Sequence, residues 1–399
     1  MALNTDGVNK LVETTSRVMN PFSQSNIVVI LLISGCAVVA AAAVFYYLHN
    51  RQRTDFYHSL PLSRTKLFTI HYGAGALLVL LPYLINLALT VLVVAANGYL
   101  SYLNAGDIFL SIGHHMLFFF AIYSMGVLSA ILTGNWVTNL LLTTLFAVIL
   151  PSFVGVYIMG MECFYQTFYL FGDLAQRLVC YLSPVTRYFT ATSSSLMIKF
   201  PMGFLEYIIW LAVTIGLIAA ALLLYKKRHS ENAGAAIAFS WAKPLIKYPL
   251  ILLFTLLGGM LFHAIGDDGD YQHWGWLIFG FFCGGIISSR IIEIVFAFDF
   301  RAIKANLKGL VLFTVLFAAF ICIPIFDLTG YNDYVPEVGQ IKAINISSYN
   351  LDGFDNDNDS YLYQSFYETR SEKDFLKARQ LTDPANLTTG VELAQIAQQ

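Results

Sequence analysis

Eight stretches of the chain run apolar for the length of a membrane crossing: residues 27–48, 68–96, 108–132, 136–157, 204–225, 248–265, 274–298 and 309–326. A helix needs about 20 such residues to cross about 30 Å of hydrocarbon. The first, fourth and fifth stretches are the most uniform. The sixth and eighth lie near the lower length limit. The second exceeds the requirement, and Pro82 removes a backbone donor at its middle, which predicts a tilt or a kink. The pattern therefore predicts an all-α polytopic membrane protein of about eight transmembrane helices, a membrane domain over residues 27–326.

The polar stretches divide the rest. Residues 1–26 form a polar N-terminal segment. In 158–203, residues 164–182 are aromatic and apolar with Asp173 and Arg177 at i,i+4 spacing, which suits an interfacial or re-entrant helix ended by Ser183 and Pro184. After residue 326 the pattern turns polar, rich in Asp, Asn, Ser and Tyr. Residues 333–349 read as extended around Ile341, Ala343 and Ile344, whereas 372–380 and 391–399 read as helical. Residues 327–399 are thus expected to form a partial α+β segment, too short and polar to bury a good core alone, and part of a larger domain.

Orientation follows from the short loops. If the first helix runs inward, loops 49–67, 133–135, 226–247 and 299–308 share the cytoplasmic side. They hold twelve basic residues: Arg51, Arg53, Arg64, Lys66, Lys226, Lys227, Arg228, Lys243, Lys247, Arg301, Lys304 and Lys308. The opposite loops hold only Arg177, Arg187 and Lys199, with Lys10 and Arg17 in the N-terminal segment. Both termini, and the segment 327–399, are therefore expected outside the cytoplasm.

Composition agrees and excludes several classes. Of 399 residues, 57% are hydrophobic and only 12% charged, too few charges for a water-soluble surface. The net charge of −2 offers no basic field for nucleic acid. The five cysteines form no CxxC pair, which leaves zinc and thioredoxin-type readings unsupported. Cys163 and Cys180 both fall in the outer stretch, and their spacing leaves a disulfide or two free thiols open. No GxxxxGK[ST] loop occurs, so no nucleotide hydrolysis by that route is expected of this chain. The first apolar run is too long, and too far from residue 1, for a secretory signal.

The most informative polar stretch is 51–68, RQRTDFYHSLPLSRTKLF. It is basic at both ends, Pro61 punctuates it, and Ser63 is placed to cap a helix starting near Arg64. It reads as a short interfacial helix, a turn and the start of the next span. Two roles stay open on these residues alone: a basic anchor with a proline turn, or a surface helix that docks on a soluble partner. Arg290 and Glu293, three apart and so on one face of a membrane helix, form a candidate intramembrane polar pair. Such a couple either neutralises itself or takes part in coupling or gating. His114 and His115 point about 100° apart on a helix and are not placed to chelate one metal, so structural hydrogen bonding is expected of them. Asp267, Asp268 and Asp270, with Asp352, Asp355, Asp357 and Asp359, read as solvated turns; the acids of the tail alternate but lack the glycine and distal glutamate of a calcium loop. Gly280-x-x-x-Gly284, Gly258-Gly259 and Gly73-x-Gly75 are candidate close contacts between helices.

Residues Ser59-Leu60-Pro61-Leu62-Ser63-Arg64, followed by Lys66 and Leu67-Phe68, resemble the S-L-P-x-S-R segment in the cytoplasmic loop of ABC-2 type permeases. The string spans under twenty residues, and the order of helices and outer segment extends the likeness over most of the chain. The nearest subgroup is that of Gram-positive bacterial permeases with an extracytoplasmic domain after the last helix. The resemblance implies a permease subunit of an ATP-driven exporter in the bacterial plasma membrane. It implies two permease subunits, identical or homologous, and a separate ABC ATPase subunit. ATP would be bound by that partner, leaving no cofactor and no catalytic residue on this chain. By resemblance, Asp55, Phe56, Tyr57, His58, Leu60, Pro61, Ser63 and Arg64 form the ATPase-coupling contact. Permeases of this kind carry a further hydrophobic helix upstream of these eight, where this chain has the polar residues 1–26, and a shortened form is expected. The alternatives are a sensor or resistance module that binds an antimicrobial peptide or cell-wall precursor without net transport, an ion-coupled carrier, and a membrane enzyme using His114.

Overall fold

The computed structural model describes residues 18–24, 26–165, 178–190, 202–266, 274–331 and 334, and the side chains of all of these except 162, 163 and 274. Among the described residues ten α-helices are defined: α1 (Ile27–Val44), α2 (Arg51–Ser59), α3 (Arg64–Ala96), α4 (Ala105–Leu132), α5 (Trp136–Phe164), α6 (Pro184–Thr190), α7 (Phe204–Lys227), α8 (Ala242–Gly266), α9 (Trp274–Ala297) and α10 (Leu307–Ile325). All but α2 and α6 are long and apolar enough to cross a membrane, and no strand occurs among the described residues. The protein is an all-α, multi-pass membrane protein. Helices suit this setting because each backbone N–H and C=O is satisfied within its own segment.

Short polar side chains set the helix starts. Asn26 accepts from the N–H groups of Val28 and Val29 at 3.0 and 3.3 Å. Asn104 accepts from Gly106 N–H at 3.0 Å, and Asn135 from Val137 N–H at 2.8 Å. Proline inside a span is tolerated: α3 runs unbroken through Pro82, whose carbonyl accepts from the Asn86 amide at 2.9 Å. Several spans extend beyond their apolar runs. Helix α8 begins at Ala242, six residues before the run at 248, so Lys243 and Lys247 lie within the helix. Conversely α1 stops at Val44, and Tyr46–His49 form a 3-10 turn.

The chain divides into two compact units: residues 1–160 with 175–314, and residues 161–174 with 315–399. Within the first unit α4 is the central post. Of its most apolar stretch 78% is buried, against 0% for that of α3, which leaves that stretch of α3 on the outside of the bundle. Helices α1, α3 and α7 pack around α4 through one core that includes Ile30, Phe45, Leu67, Phe68, Phe118, Ile122, Tyr123 and Tyr225. Helix α6 lies against α1 and α4, and buries Arg187 and Tyr188 completely. Ser183 and Pro184, expected only to end a helix, also start one: Ser183 Oγ accepts from Val185 N–H at 3.2 Å, and Pro184 occupies the first helical position.

Helices α8 and α9 form a second, tighter element. Glycines let their backbones touch: a Cβ at Gly258 would lie 2.8 Å from the Gly280 carbonyl oxygen, and one at Gly284 would lie 2.6 Å from that of Phe254. Gly73, by contrast, meets nothing within 4 Å. The hairpin joins the bundle through Leu132, Leu142, Ala236, Ile237, Ala242 and Ile246. In the second unit, the Tyr165 ring lies 4.9 Å from that of Tyr331 in a tilted contact, and its hydroxyl lies 3.4 Å from Thr329 Oγ1. Asp327 Oδ1 accepts from Tyr331 N–H at 2.9 Å and closes this turn.

Residues 1–17, 25, 166–177, 191–201, 267–273, 332–333 and 335–399 lie outside the described residues. With them fall most of the N-terminal segment, much of the expected re-entrant stretch, the α+β segment, Cys163 as a disulfide partner, and the acidic clusters.

The α8–α9 contact makes a prediction. Gly284→Leu forces the two backbones apart and lowers stability by about 1–3 kcal/mol, the usual cost of overpacking. A heated aliquot followed by size exclusion in detergent reads this as an earlier loss of the monodisperse peak. Gly216→Ala, at a position with open space, leaves that peak unchanged.

Candidate functional site

The candidate site is the bundle end where α1 stops and α3 begins. Asn50 accepts from Arg53 N–H at 3.2 Å and starts α2. Thr54, buried on the first turn, donates to the carbonyls of Tyr47 at 2.7 Å and Asn50 at 2.9 Å. This bond holds α2 against the 3-10 turn before it. Thr54, Tyr57 and His58, at i, i+3 and i+4, therefore share the inner face. The Tyr57 ring sits 4.7 Å from Tyr47 and 5.1 Å from His71, and the His58 ring 6.4 Å from Tyr225. The hydroxyls of Tyr47 and Tyr225 are 2.8 Å apart.

The outer face of α2 carries Arg51, Gln52, Asp55, Phe56 and Ser59, all exposed. The turn that follows continues this face. Leu62 N–H bonds the Leu60 carbonyl at 2.7 Å, Pro61 is exposed, and Ser63 Oγ accepts from Lys66 N–H at 3.3 Å to start α3. Phe56 is 61% exposed and Leu62 43%, so two large apolar side chains project from a surface made mostly of charged and hydroxylic groups.

Two arginines tie this element to the bundle. Arg228, just past the end of α7, is 2% exposed. Its guanidinium donates to the carbonyls of Ala130 at 2.8 Å, Ile131 at 2.5 Å and Leu48 at 2.8 Å. Those of Ala130 and Ile131 are last-turn carbonyls of α4, which have no partner within the helix. A cation at a helix C-terminus is also favoured by the helix dipole. Arg64, at the first position of α3, donates to the carbonyls of Lys226 at 3.0 Å and Arg228 at 2.6 Å. The start of α3, the ends of α4 and α7, and the turn after α1 are thereby linked in one chain of bonds. The loop between α4 and α5 joins them: Ala238 N–H bonds the Leu132 carbonyl and Gly234 N–H the Gly134 carbonyl, both at 2.7 Å. Gly134 is required there, because a Cβ would run into the backbone of Asn232 and Ala235.

Burial governs the charges. It lowers the Arg228 guanidinium to about 10, opposed by Tyr47 and Tyr225, which leaves it charged at neutral pH. It lowers His49 to about 4, helped by the Arg228 charge. It also lowers His58, with Arg64 and Arg228 acting the same way and Asp55 against them. Both histidines are therefore neutral at pH 7.

The eight residues assigned to the coupling contact thus separate into two sets. Asp55, Phe56 and Pro61 face outward, with Leu62, which the resemblance did not assign. Tyr57 and His58 face the bundle, Leu60 is half-buried, Ser63 caps a helix and Arg64 binds the end of α7. The proposed pair of Arg290 and Glu293 is corrected. Glu293 pairs across the hairpin with Lys247 of α8. Arg290 turns to the 3-10 stretch after α9, donating to the carbonyls of Ile303 and Ala305, each at 2.8 Å. Sharing a face allowed a pair but did not require one. Lys247 offered Glu293 a partner inside the protein, and the free carbonyls suited the planar guanidinium.

A second polar cluster lies at the opposite end of the same bundle. Arg187 of α6 pairs with Glu206 of α7 through two nitrogens, and the Tyr181 ring lies 5.2 Å from the guanidinium. His114 Nδ1 lies 3.1 Å from the Tyr207 hydroxyl, and His115 Nδ1 2.6 Å from that of Tyr188. The divergent directions expected of adjacent residues are realised, each ring meeting a different helix. Arg228, Arg187 and Lys247 had all been counted only as loop charges. The available signal was their position within a few residues of a span end. Glu206, an acid at the start of an apolar run, was the other.

Comparison of the chain with protein families, with characterised proteins and with solved structures gives no match. The functional reading accordingly stands on the residues and their geometry.

Two predictions follow from this end of the bundle. Arg228→Met removes a charged donor from three buried carbonyls, at about 1–3 kcal/mol for each one left an orphan, and the purified protein loses its cooperative melting transition or melts far earlier. The second concerns acid. His49 binds its proton at about pH 4 when folded and at its ordinary 6.5 when unfolded. Its contribution is complete above pH 6.5 and is lost as the pH falls from 6.5 towards 4, by on the order of 2–3 kcal/mol. A melting series over that range declines in the wild type and flattens in His49→Gln.

Proposed function

We propose that this chain is the membrane-spanning subunit of an ATP-driven transporter of the ABC-2 type, an exporter in the bacterial plasma membrane. A separate ATPase subunit binds the ATP. The observation that carries the reading is the α2–turn element: a short surface helix between two spans, which presents Phe56 and Leu62 outward beside Arg51 and Asp55, and which is bonded inward to the ends of α4 and α7. A soluble partner seated on Asp55, Phe56, Pro61 and Leu62 would push on a rigid lever and not on a loose loop. Arg64 and Arg228 would carry the displacement to the post at the centre of the bundle. Two such subunits would enclose the pathway, which opens alternately to either side as the ATPase dimer closes and reopens. The Ser59–Arg64 string and the basic loops that place this end in the cytoplasm support the same reading.

The test is gentle purification from native membranes with mass spectrometry of the co-purifying chains. Phe56→Ala with Leu62→Ala removes the outward contact and leaves the inner bonds in place. An ATPase subunit recovered with the wild type, and reduced about tenfold (about 1.4 kcal/mol) with the variant, agrees with the proposal. Failure of any ATPase to appear, even after crosslinking, overturns it and favours an ion-coupled carrier.

A further inference from the structure

The α8–α9 hairpin holds a cleft that the proposed function does not use. It has a volume of about 400 Å³ and is lined by Lys243, Lys247, Tyr248, Glu293, Phe296 and Asn306, with Pro244 and Ala297. Lys243 and Lys247, four residues apart, lie on one face of the first two turns of α8. Lys247 is committed to Glu293 and lies near the Tyr248 ring. Lys243 is exposed and makes no ion pair among the described residues, and the Asn306 amide makes no hydrogen bond there. The cleft therefore keeps one uncompensated cation and a free amide beside a neutralised pair. The start of α8 adds the positive end of its dipole.

Depth and flanks say what fits. Lys247 lies five residues inside α8 and Glu293 four from the end of α9, or about 6–8 Å along each helix at 1.5 Å per residue. That is the depth of the boundary between headgroups and hydrocarbon. Trp241 and Tyr248 are exposed beside it, as aromatic residues at that boundary commonly are. Phe254, seven residues on from Lys247, and Ile286, seven before Glu293, share those helix faces and are each 47% exposed, so apolar surface continues from the cleft into the span along both walls. A free phosphate would use only the polar mouth. A phospholipid would use both parts.

We infer that this cleft binds an anionic phospholipid, its phosphate ester at Lys243 and the Asn306 amide and its acyl chains along α8 and α9. Glu293 opposes the ligand: it neutralises Lys247 and holds back a second cation. The inference does not rest on the transporter reading.

The test uses the full chain in nanodiscs of phosphatidylcholine with a minor fraction of phosphatidylglycerol, and native mass spectrometry of the lipid that stays bound. Wild type retains phosphatidylglycerol in preference to phosphatidylcholine. Lys243→Gln lowers that retention about fivefold, the equivalent of one lysine at a membrane surface. Glu293→Gln raises it, and Lys227→Gln, which removes an equal charge at the end of α7, leaves it unchanged. Equal losses from Lys243→Gln and Lys227→Gln would reduce the effect to general surface charge and overturn the site. Displacement of the lipid by inorganic phosphate at matched ionic strength would overturn the lipid as the ligand, since the phosphate group alone would then suffice. Both lysines are exposed, so neither change removes a packing contact.

Discussion

One buried guanidinium organises the end of the molecule on which the proposed function depends. Arg228 satisfies carbonyls at the end of α4 and at Leu48, which no backbone donor reaches. Burying a charge is costly, and this one is held by carbonyl dipoles rather than by a carboxylate. The arrangement suits a place where helices end together: each helix brings the negative end of its dipole, and one planar cation with five donors answers several of them. Arg64 repeats the device on the carbonyls of α7. Beside these two side chains, the Tyr47 and Tyr225 hydroxyls, 2.8 Å apart, add a further polar link at this end.

Apolar contact is a weak guide to register inside a membrane, where lipid is as apolar as leucine. The structure uses two other means. Close backbone approach at glycine holds α8 to α9. Polar bonds at the two ends of the bundle hold α1, α3, α4, α6 and α7: the arginine links at one end, and the Arg187–Glu206 and histidine–tyrosine contacts at the other. The middle of the bundle, around Phe118, Phe119 and Ile122, is filled by apolar side chains, and there Tyr123 donates to the Tyr72 carbonyl at 3.0 Å while the Tyr72 hydroxyl lies 2.8 Å from Ser124 Oγ, which ties α4 to α3. An isolated polar group is expensive at depth, and near the headgroups it has both partners and water.

The surface of α2 follows from its inner face. Because Thr54, Tyr57 and His58 are occupied with the bundle, Asp55 and Phe56 have no choice but to face away. The same bonds that stiffen the element expose its apolar residues. Arg51 and Arg53 are exposed beside them, so the face presents basic as well as apolar groups.

The sequence by itself determined the eight spans, the short helix between the first two, the turn at Pro61 and the cap at Ser63. Each depends on residues near one another in the chain: a lipid-compatible run, a polar break, a side chain that reaches a backbone two or three positions on. It also placed loops 49–67, 133–135 and 226–247 together, and bonds among Leu48, Arg64, Gly134, Lys226 and Gly234 join them. Only the tertiary structure decided the partners. Helical spacing put Arg290 and Glu293 on one face, yet Glu293 bonds Lys247, 46 residues away in the chain, and Arg290 bonds backbone that no side-chain pattern reveals. It alone separated Phe56 from Tyr57 as outward and inward, and made Arg228 a buried clamp where the sequence showed one more loop charge. The reason is physical: propensity and hydropathy act along the chain, whereas the partner of a buried polar group is whatever the packing of other helices brings within 3 Å of it.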